Sequence, residues 1–331
     1  MKLNIRTFLL PGLWVCLGLS CTKTIVQQPG AGTPLQQTLE STLESSYSYS
    51  LFVYALKKTG LEQAISGNTA YTLLVPDNDA FARDSILSDS DLDKLDTAYL
   101  RQWIGYHIVN GAITVASVAQ AVNNPYQSIT GQTLYFSRPI PGTDQTQPTT
   151  GGILHINGDT VNTADIQTSN GVIQVLNTPL KLPASSVQAY LSANAQYSVF
   201  VAALQRFGLW NELTGPGPFT VFAPNNASFS QFNITPDSVN NLDTTKFQTA
   251  LFGIYVLSDT RIFLTDFADI GSTGNFYTSN GEYSWVGGTL DDAIPYSNVL
   301  PVIWTDENTI AVNGVVQGMD GILLLPSEEK K

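Results

Sequence analysis

One stretch is written twice, and it constrains the fold more than any other feature of the sequence. The run YTLLVPDNDAF from Tyr71 to Phe81 returns as FTVFAPNNASF from Phe219 to Phe229, 148 residues later. Aligned without a gap from Tyr47 and Ala195, the two segments share 13 identities over 35 positions, which marks an internal repeat. In each copy a β-rich apolar run stops at a proline, Pro76 or Pro224, that has no N–H to give to a ladder. Asp77 and Asn78, or Asn225 and Asn226, follow, and such side chains bond a turning backbone. A strand is expected to end there and a helical turn to begin.

A second pair of motifs lies near the end of each copy. Asn170-Gly171 precedes VIQVL and the copy closes at Pro183; Asn313-Gly314 precedes VVQGM and the copy closes at Pro326, an offset of 143 in both cases. Asn-Gly is expected to supply the positive φ values of a tight hairpin turn, with the apolar run after it as the returning strand.

In this order and at this separation, the motifs resemble the paired signatures of the fasciclin domain, an extracellular adhesion module. LRQWIGYH, from Leu100 to His107, is similar to the family's Tyr-His segment, and Ala164-Asp165-Ile166 stands shortly before Asn170. The resemblance covers nearly all of the chain after residue 35. It implies an α+β fold class with two tandem fasciclin-like domains, each a β-strand wedge with packed helices, over residues 35–183 and 184–327 with a tail at 328–331. In animal members the Asp-Ile pair is associated with receptor adhesion, so the resemblance makes Asp165 and Ile166 candidate partner-binding residues; the second copy has Asn308-Thr309 there. A turn residue bonding nearby backbone is the other account of Asp165.

Residues 1–21 read as a leader. Lys2 and Arg6 precede a mostly apolar run from Thr7 to Ser20, too short to span a bilayer comfortably. The segment LGLSC ends it and resembles a bacterial lipoprotein signal, with Gly18 where leucine is usual, so Cys21 is the expected lipidation site. Both cysteines, Cys16 and Cys21, fall in the leader; the remainder has no thiol, disulfide or cysteine metal site. A plain secretory peptide is the alternative. Residues 22–34 read as a polar tether, with Thr33-Pro34 as a helix start.

The formal charge is −12 and becomes −14 once Lys2 and Arg6 are removed with the leader. Such a surface repels nucleic acid and anionic lipid. Ser50 to Leu56 with Gly60, and Ser198 to Gly208, read as amphipathic helices with glycine stops. Ser90 and Asp93 have capping-box spacing, and Leu92, Leu95, Tyr99 and Trp103 fall on one helical stripe. The acids Asp89, Asp91 and Asp93 do not open a calcium loop, because Lys94 takes the required glycine position and Leu100 the required glutamate position. Ser137 to Gly152 reads as an exposed excursion, and the short Pro183–Gln188 connection, with Ser186 as a helix cap, implies domains in contact or limited in their relative motion.

His107 and His155 are the only histidines. Tyr255 replaces His107 in the second copy, an exchange that a packed, hydrogen-bonded residue explains and catalysis does not; His155, in an alternating run, is expected to point outward. The second copy departs most between Asp266 and Asp306, where Phe276, Tyr277, Tyr283, Trp285, Tyr296 and Trp304 crowd among Gly, Ser, Asn and Asp. Aromatics beside amides and carboxylates can form a sugar-binding platform. Burial in a β core is the competing account.

Hydrolase and phosphate-loop motifs are missing from the sequence, so no catalytic residue, metal or cofactor is assigned. A glycan hydrolase would rest on paired carboxylates alone: Asp291-Asp292, Asp306-Glu307 or Asp77 with Asp79. Asn226 and Asn233 match the glycan acceptor pattern, incidental in a bacterial lipoprotein. The expected function is a non-catalytic module held at the outer membrane or cell surface of a bacterium by a lipid anchor, binding an extracellular protein or polysaccharide and no nucleic acid. A surface component of glycan uptake is the alternative.

Overall fold

The computed structural model of the chain describes residues 37–138, 153–246, 250–266, 274–277, 283–287, 294–295 and 303–323. The leader with Cys21, the tether, Thr33-Pro34, residues 139–152, Asp291-Asp292, Tyr296 and the 328–331 tail lie outside the described residues.

In the first copy, β1 (Tyr71–Pro76), β2 (Ile108–Asn110), β3 (Asn124–Gln127), β4 (Thr133–Ser137), β5 (His155–Ile156), β6 (Asp159–Thr168) and β7 (Gly171–Leu176) form one sheet ordered β2-β1-β7-β6-β5-β4-β3. In the second, β8 (Phe219–Pro224), β9 (Val256–Leu257), β13 (Ile303–Trp304), β14 (Thr309–Ala311) and β15 (Gly314–Asp320) form the matching sheet. There β13-β15-β8-β9 run in order and β14 also pairs with β15. Between β9 and β13 in the chain, β10 (Gly274–Tyr277), β11 (Tyr283–Gly287) and β12 (Ile294–Pro295) make a separate antiparallel sheet.

The repeated strands carry the expected equivalence. β1 is parallel to β7 from Tyr71 opposite Gly171 to Pro76 opposite Leu176, and β8 is parallel to β15 from Phe219 opposite Gly314 to Pro224 opposite Met319. Leu73, Val75, Ile173 and Val175 pack with Phe52, Phe81 and Ile104 on one side, while Leu74 and Leu176 join Tyr106, Leu134 and Phe136 on the other. Successive side chains of a strand point to opposite faces, and both faces here are covered, which is why the run is continuously apolar.

Asn-Gly does a different job from the one its sequence implies. None of Asn170, Gly171, Asn313 and Gly314 adopts positive φ. Glycine is required because a Cβ on Gly171 would lie 2.1 Å from the Tyr71 carbonyl oxygen, and one on Gly314 2.5 Å from that of Phe219. The asparagines are three-way clamps. Asn170 Oδ1 accepts the Leu39 N–H at 2.8 Å and its Nδ2 donates to the Ile65 and Gly67 carbonyls at 2.9 Å. Asn313 repeats this with the Val187 N–H at 2.9 Å and the Leu213 and Gly215 carbonyls at 3.0 Å. Each clamp ties the returning strand to the first helix of its copy, Leu39–Glu44 or Val187–Ala193.

The strand-proline motif is repeated as closely. Asp77 caps the helix Asn78–Arg83 and Asn225 caps Asn226–Ser230. Asn78 and Asn226 each hold the start of an earlier helix, accepting from Leu51 or Val199 and donating to the Tyr47 or Ala195 carbonyl. The helices Ser50–Thr59 and Ser198–Arg206 follow the expected amphipathic pattern, and Gly60 stops the first at φ 69°.

The first described helix starts from a Thr38–Ser41 capping box. Three local expectations are corrected. The cap of Asp89–Asp93 is Ser88 with Asp91, not Ser90 with Asp93, because Asp93 is taken by the Tyr54 hydroxyl and the Lys58 ammonium. The Leu92-to-Trp103 stripe is split between that helix and Thr97–Tyr106, which Asp96 caps anew. Ser137 and His155 are buried rather than exposed, since they sit opposite each other in β4 and β5.

The two copies touch, with Asn123 of the first donating to the Arg261 carbonyl of the second. Ala184 N–H donates to the Ile310 carbonyl and its own carbonyl accepts from Val312 N–H, each at 2.9 Å, so the connection itself lies as a bridge against the second copy.

Candidate functional site

Asp165 sits where β6 is bulged against β7, in the left-handed region at φ 58°. Asp and Asn are the side chains that tolerate this conformation best after glycine. Its Oδ1 accepts from Val115 N–H at 2.9 Å and from Gln174 Nε2 at 2.8 Å, while its own N–H donates to Gln174 Oε1 at 2.9 Å. Gln174, fully buried, also donates to the Ile113 carbonyl. The second copy reproduces every bond: Asn308, at φ 52°, accepts from Leu264 N–H and Gln317 Nε2, and Gln317 donates to the Ile262 carbonyl. The fold needs one carbonyl-like oxygen here and no negative charge. Ile166 is half-buried and packs on the helix-side core.

The histidines are interior groups. His107 is fully buried; its Nδ1 lies 2.8 Å from the Trp103 carbonyl, and its Nε2 accepts the Leu180 N–H at 2.9 Å. Those contacts require a neutral ring, with the proton on Nδ1. Burial pushes its pKa down to about 4, against the pull of the Trp103 carbonyl. His155, beside the Thr160 hydroxyl at 3.1 Å, is lowered by burial to about 4 as well.

Of the aromatic candidates in the second copy, Trp304 is half-buried in β13, packed against the core with its ring 6.0 Å from that of Phe222. Tyr277 and Tyr283 are cross-strand neighbours in β10 and β11, and Trp285 lies opposite Asn275. The carboxylate of Asp306 is drawn into a structural cluster, accepting from Tyr197 at 2.6 Å, Gln196 at 2.5 Å and Tyr190 at 3.2 Å. Asp77 is a helix cap.

A family model described as the fasciclin domain matches twice, over residues 47–183 and 195–326. The chain belongs to the fasciclin domain family. Protein sll1483 of Synechocystis sp. is 30% identical over 153 residues, which cover 44% of this chain and 74% of that protein. Transforming growth factor-beta-induced protein ig-h3 of Sus scrofa is 21% identical over 297 residues, 84% of this chain and 38% of that protein. Periostin of Homo sapiens is 27% identical over 272 residues, 82% of this chain and 29% of that protein. The chain therefore spans well under half of these two animal relatives. Among solved structures, a FAS1 domain pair from the insect cell adhesion molecule Fasciclin I aligns with a TM-score of 0.42 and 16% identity, over 85% of this chain and 98% of that one.

The contact between the two fasciclin domains contains residues that the sequence did not signal. Arg261 of the second domain is buried, with its guanidinium carbon 4.0 Å above the Tyr135 ring of the first, a cation–π contact. Its carbonyl accepts from Asn123 Nδ2 at 2.6 Å, and Phe263 packs beside the same tyrosine. Asn308 Nδ2 reaches the Gly158 carbonyl at 3.3 Å. A polar groove of about 470 Å³ runs along this junction between Asp159 and Lys181 on one side and Thr305 and Glu307 on the other. Burial raises the Asp159 pKa, opposed by the backbone N–H groups of Asn177 and Thr178 that it accepts. No helix among the described residues is long and apolar enough to cross a membrane.

Proposed function

We propose that this protein is a non-catalytic adhesion module, exported and held at the outer membrane or cell surface of a bacterium by a lipid on Cys21, with the fasciclin pair presented to an extracellular protein. The observation that carries this reading is the charge at Asp165. The bulge asks only for an oxygen acceptor, as Asn308 demonstrates, yet the first domain has a carboxylate there. A charge the fold does not use is available to a partner, with Ile166 beside it as an apolar contact. Two acyl chains on Cys21 would give the strong attachment that one chain does not.

The test is adhesion of beads coated with the protein or its Asp165→Asn variant to cells or envelope fractions. Loss of adhesion in a variant of unchanged stability supports the reading, whereas undiminished adhesion removes Asp165 from it. Mass spectrometry of the mature protein tests the anchor, which fails if Cys21 is an unmodified thiol or has been cleaved away.

A second reading, glycan binding by the second domain, is favoured by the register that sets Tyr277 against Tyr283 and Asn275 against Trp285 in one small sheet. Polysaccharide retention by Trp285→Ala, compared with the unaltered protein, distinguishes it from the first.

A further inference from the structure

The first domain carries an exposed apolar groove flanked by two residues that the second domain does not have, and the repeat itself indicates that these residues are not needed for folding. Tyr47 is 86% exposed and Leu87 72% exposed. The fold uses only the Tyr47 carbonyl, which accepts Asn78 Nδ2 at 2.8 Å; Ala195 supplies the same carbonyl to Asn226 at 2.9 Å. The ring is therefore an addition. Leu87 is an insertion: Ile86 and Ile234 close equivalent turns onto Phe81 and Phe229, and the next helix is capped by Ser88 in one domain and Thr235 in the other. One residue stands between Ile86 and Ser88 and none between Ile234 and Thr235.

Tyr47 and Leu87 flank a groove of about 890 Å³ whose apolar lining includes Val53, Tyr54 and Ala82. The uncharged polar groups along it are committed to the fold. Ser46 accepts from Ser48 N–H, Ser50 Oγ and both amide atoms of Asn78 bond each other and the helix start, and Ser88 completes its capping box. Sugar hydroxyls would find few partners. Two acids, Glu44 and Asp89, line the groove, and the Glu40 and Glu62 carboxylates lie within 4.8 Å of that of Glu44. Against these four acids stands Lys57, already paired with Glu44 and Glu62.

We infer that this groove is the docking face for a partner-protein segment in which lysine or arginine residues flank an aromatic or aliphatic side chain. The apolar residue covers Tyr47 and Leu87, and the cations meet these acids. This rests on the adhesion reading, and it names the face and the partner chemistry.

The test is selection of a random peptide library on the full chain, followed by affinity measurements on Tyr47→Ala, Leu87→Ser and Asp89→Lys. The alanine that the second domain carries at the Tyr47 position makes Tyr47→Ala a variant expected to fold. Enriched peptides should combine basic with apolar residues, lose about tenfold in affinity on Tyr47→Ala, and bind more weakly as salt is raised. Peptides that bind Tyr47→Ala and Leu87→Ser as well as the unaltered chain would overturn the groove while leaving the adhesion reading intact. Enrichment without basic residues, or a shift of the Leu87 methyl resonance by neutral oligosaccharides instead of peptides, would overturn the assigned partner.

Discussion

The two domains receive their C-terminal segments in the same way with different chemistry. In the first, His107 Nε2 accepts the Leu180 N–H at 2.9 Å; in the second, the Tyr255 hydroxyl accepts the Leu323 N–H at 2.7 Å. Leu180 and Leu323 are separated by the same 143 residues as Asn170 and Asn313. A buried N–H needs an acceptor at one point in space, and imidazole or phenol can put one there. Where backbone meets backbone no exchange is tolerated, and Gly171 and Gly314 are both glycine. The repeat thus keeps identity where sterics rule and keeps only role where a hydrogen bond rules.

The most damaging way to probe this likeness is at the glycines. Gly171→Ala and Gly314→Ala should each cost about 4 kcal/mol or more, because the new methyl meets a strand carbonyl and the parallel pairing must shift. Each should unfold its own domain, read as the loss of one calorimetric transition. Equal and mild effects in both would mean that the strands can separate freely, against the shared register.

Acid should separate the domains next. Both histidines lie in the first, and each has a folded pKa of about 4 against an ordinary 6.5. As pH falls through 6.5 the unfolded chain binds the protons first. The stability is therefore whole above that pH and drains away down to about 4, by roughly 3 kcal/mol for each histidine. Calorimetry at pH 7, 5 and 4 should show the first domain's transition falling much faster than the second's, and parallel movement would refute the buried neutral rings.

Arg261→Ala should cost about 2 kcal/mol through the lost contact with Tyr135. Its sharper signature is loss of coupling, with the two thermal transitions drawing apart. Smallest is Asp165→Asn, which should change stability by less than about 0.5 kcal/mol, since Asn308 already performs that task in the second domain. A large destabilisation would mean that the charge itself is structural.

Several elements were legible because local chemistry specifies them. Pro76 and Pro224 end strands, Gly60 stops a helix and Ser186 caps one, as their residue types predict. Others were not. Ser88 with Asp91 and Ser90 with Asp93 fit the same capping pattern, and the choice falls to Tyr54 and Lys58, which occupy Asp93 from another helix. His155 alternates as an outward residue would, but the sheet is covered on both faces. Arg261 and Tyr135 carry no motif and acquire meaning only when the domains meet.

From the sequence alone follow the duplication, the strand-proline and Asn-Gly pairs, the absence of cysteine after residue 21 and the acidic balance, all properties of residue order and type. The tertiary structure decided what those residues do. Asn170 reads locally as a turn former and acts as a clamp on Leu39, 131 residues away; Asp165 reads as a recognition residue and also holds a bulge. The physical reason is that a hydrogen bond or a close backbone approach depends on which distant atoms the fold brings within about 3 Å, and no spacing along the chain records that distance.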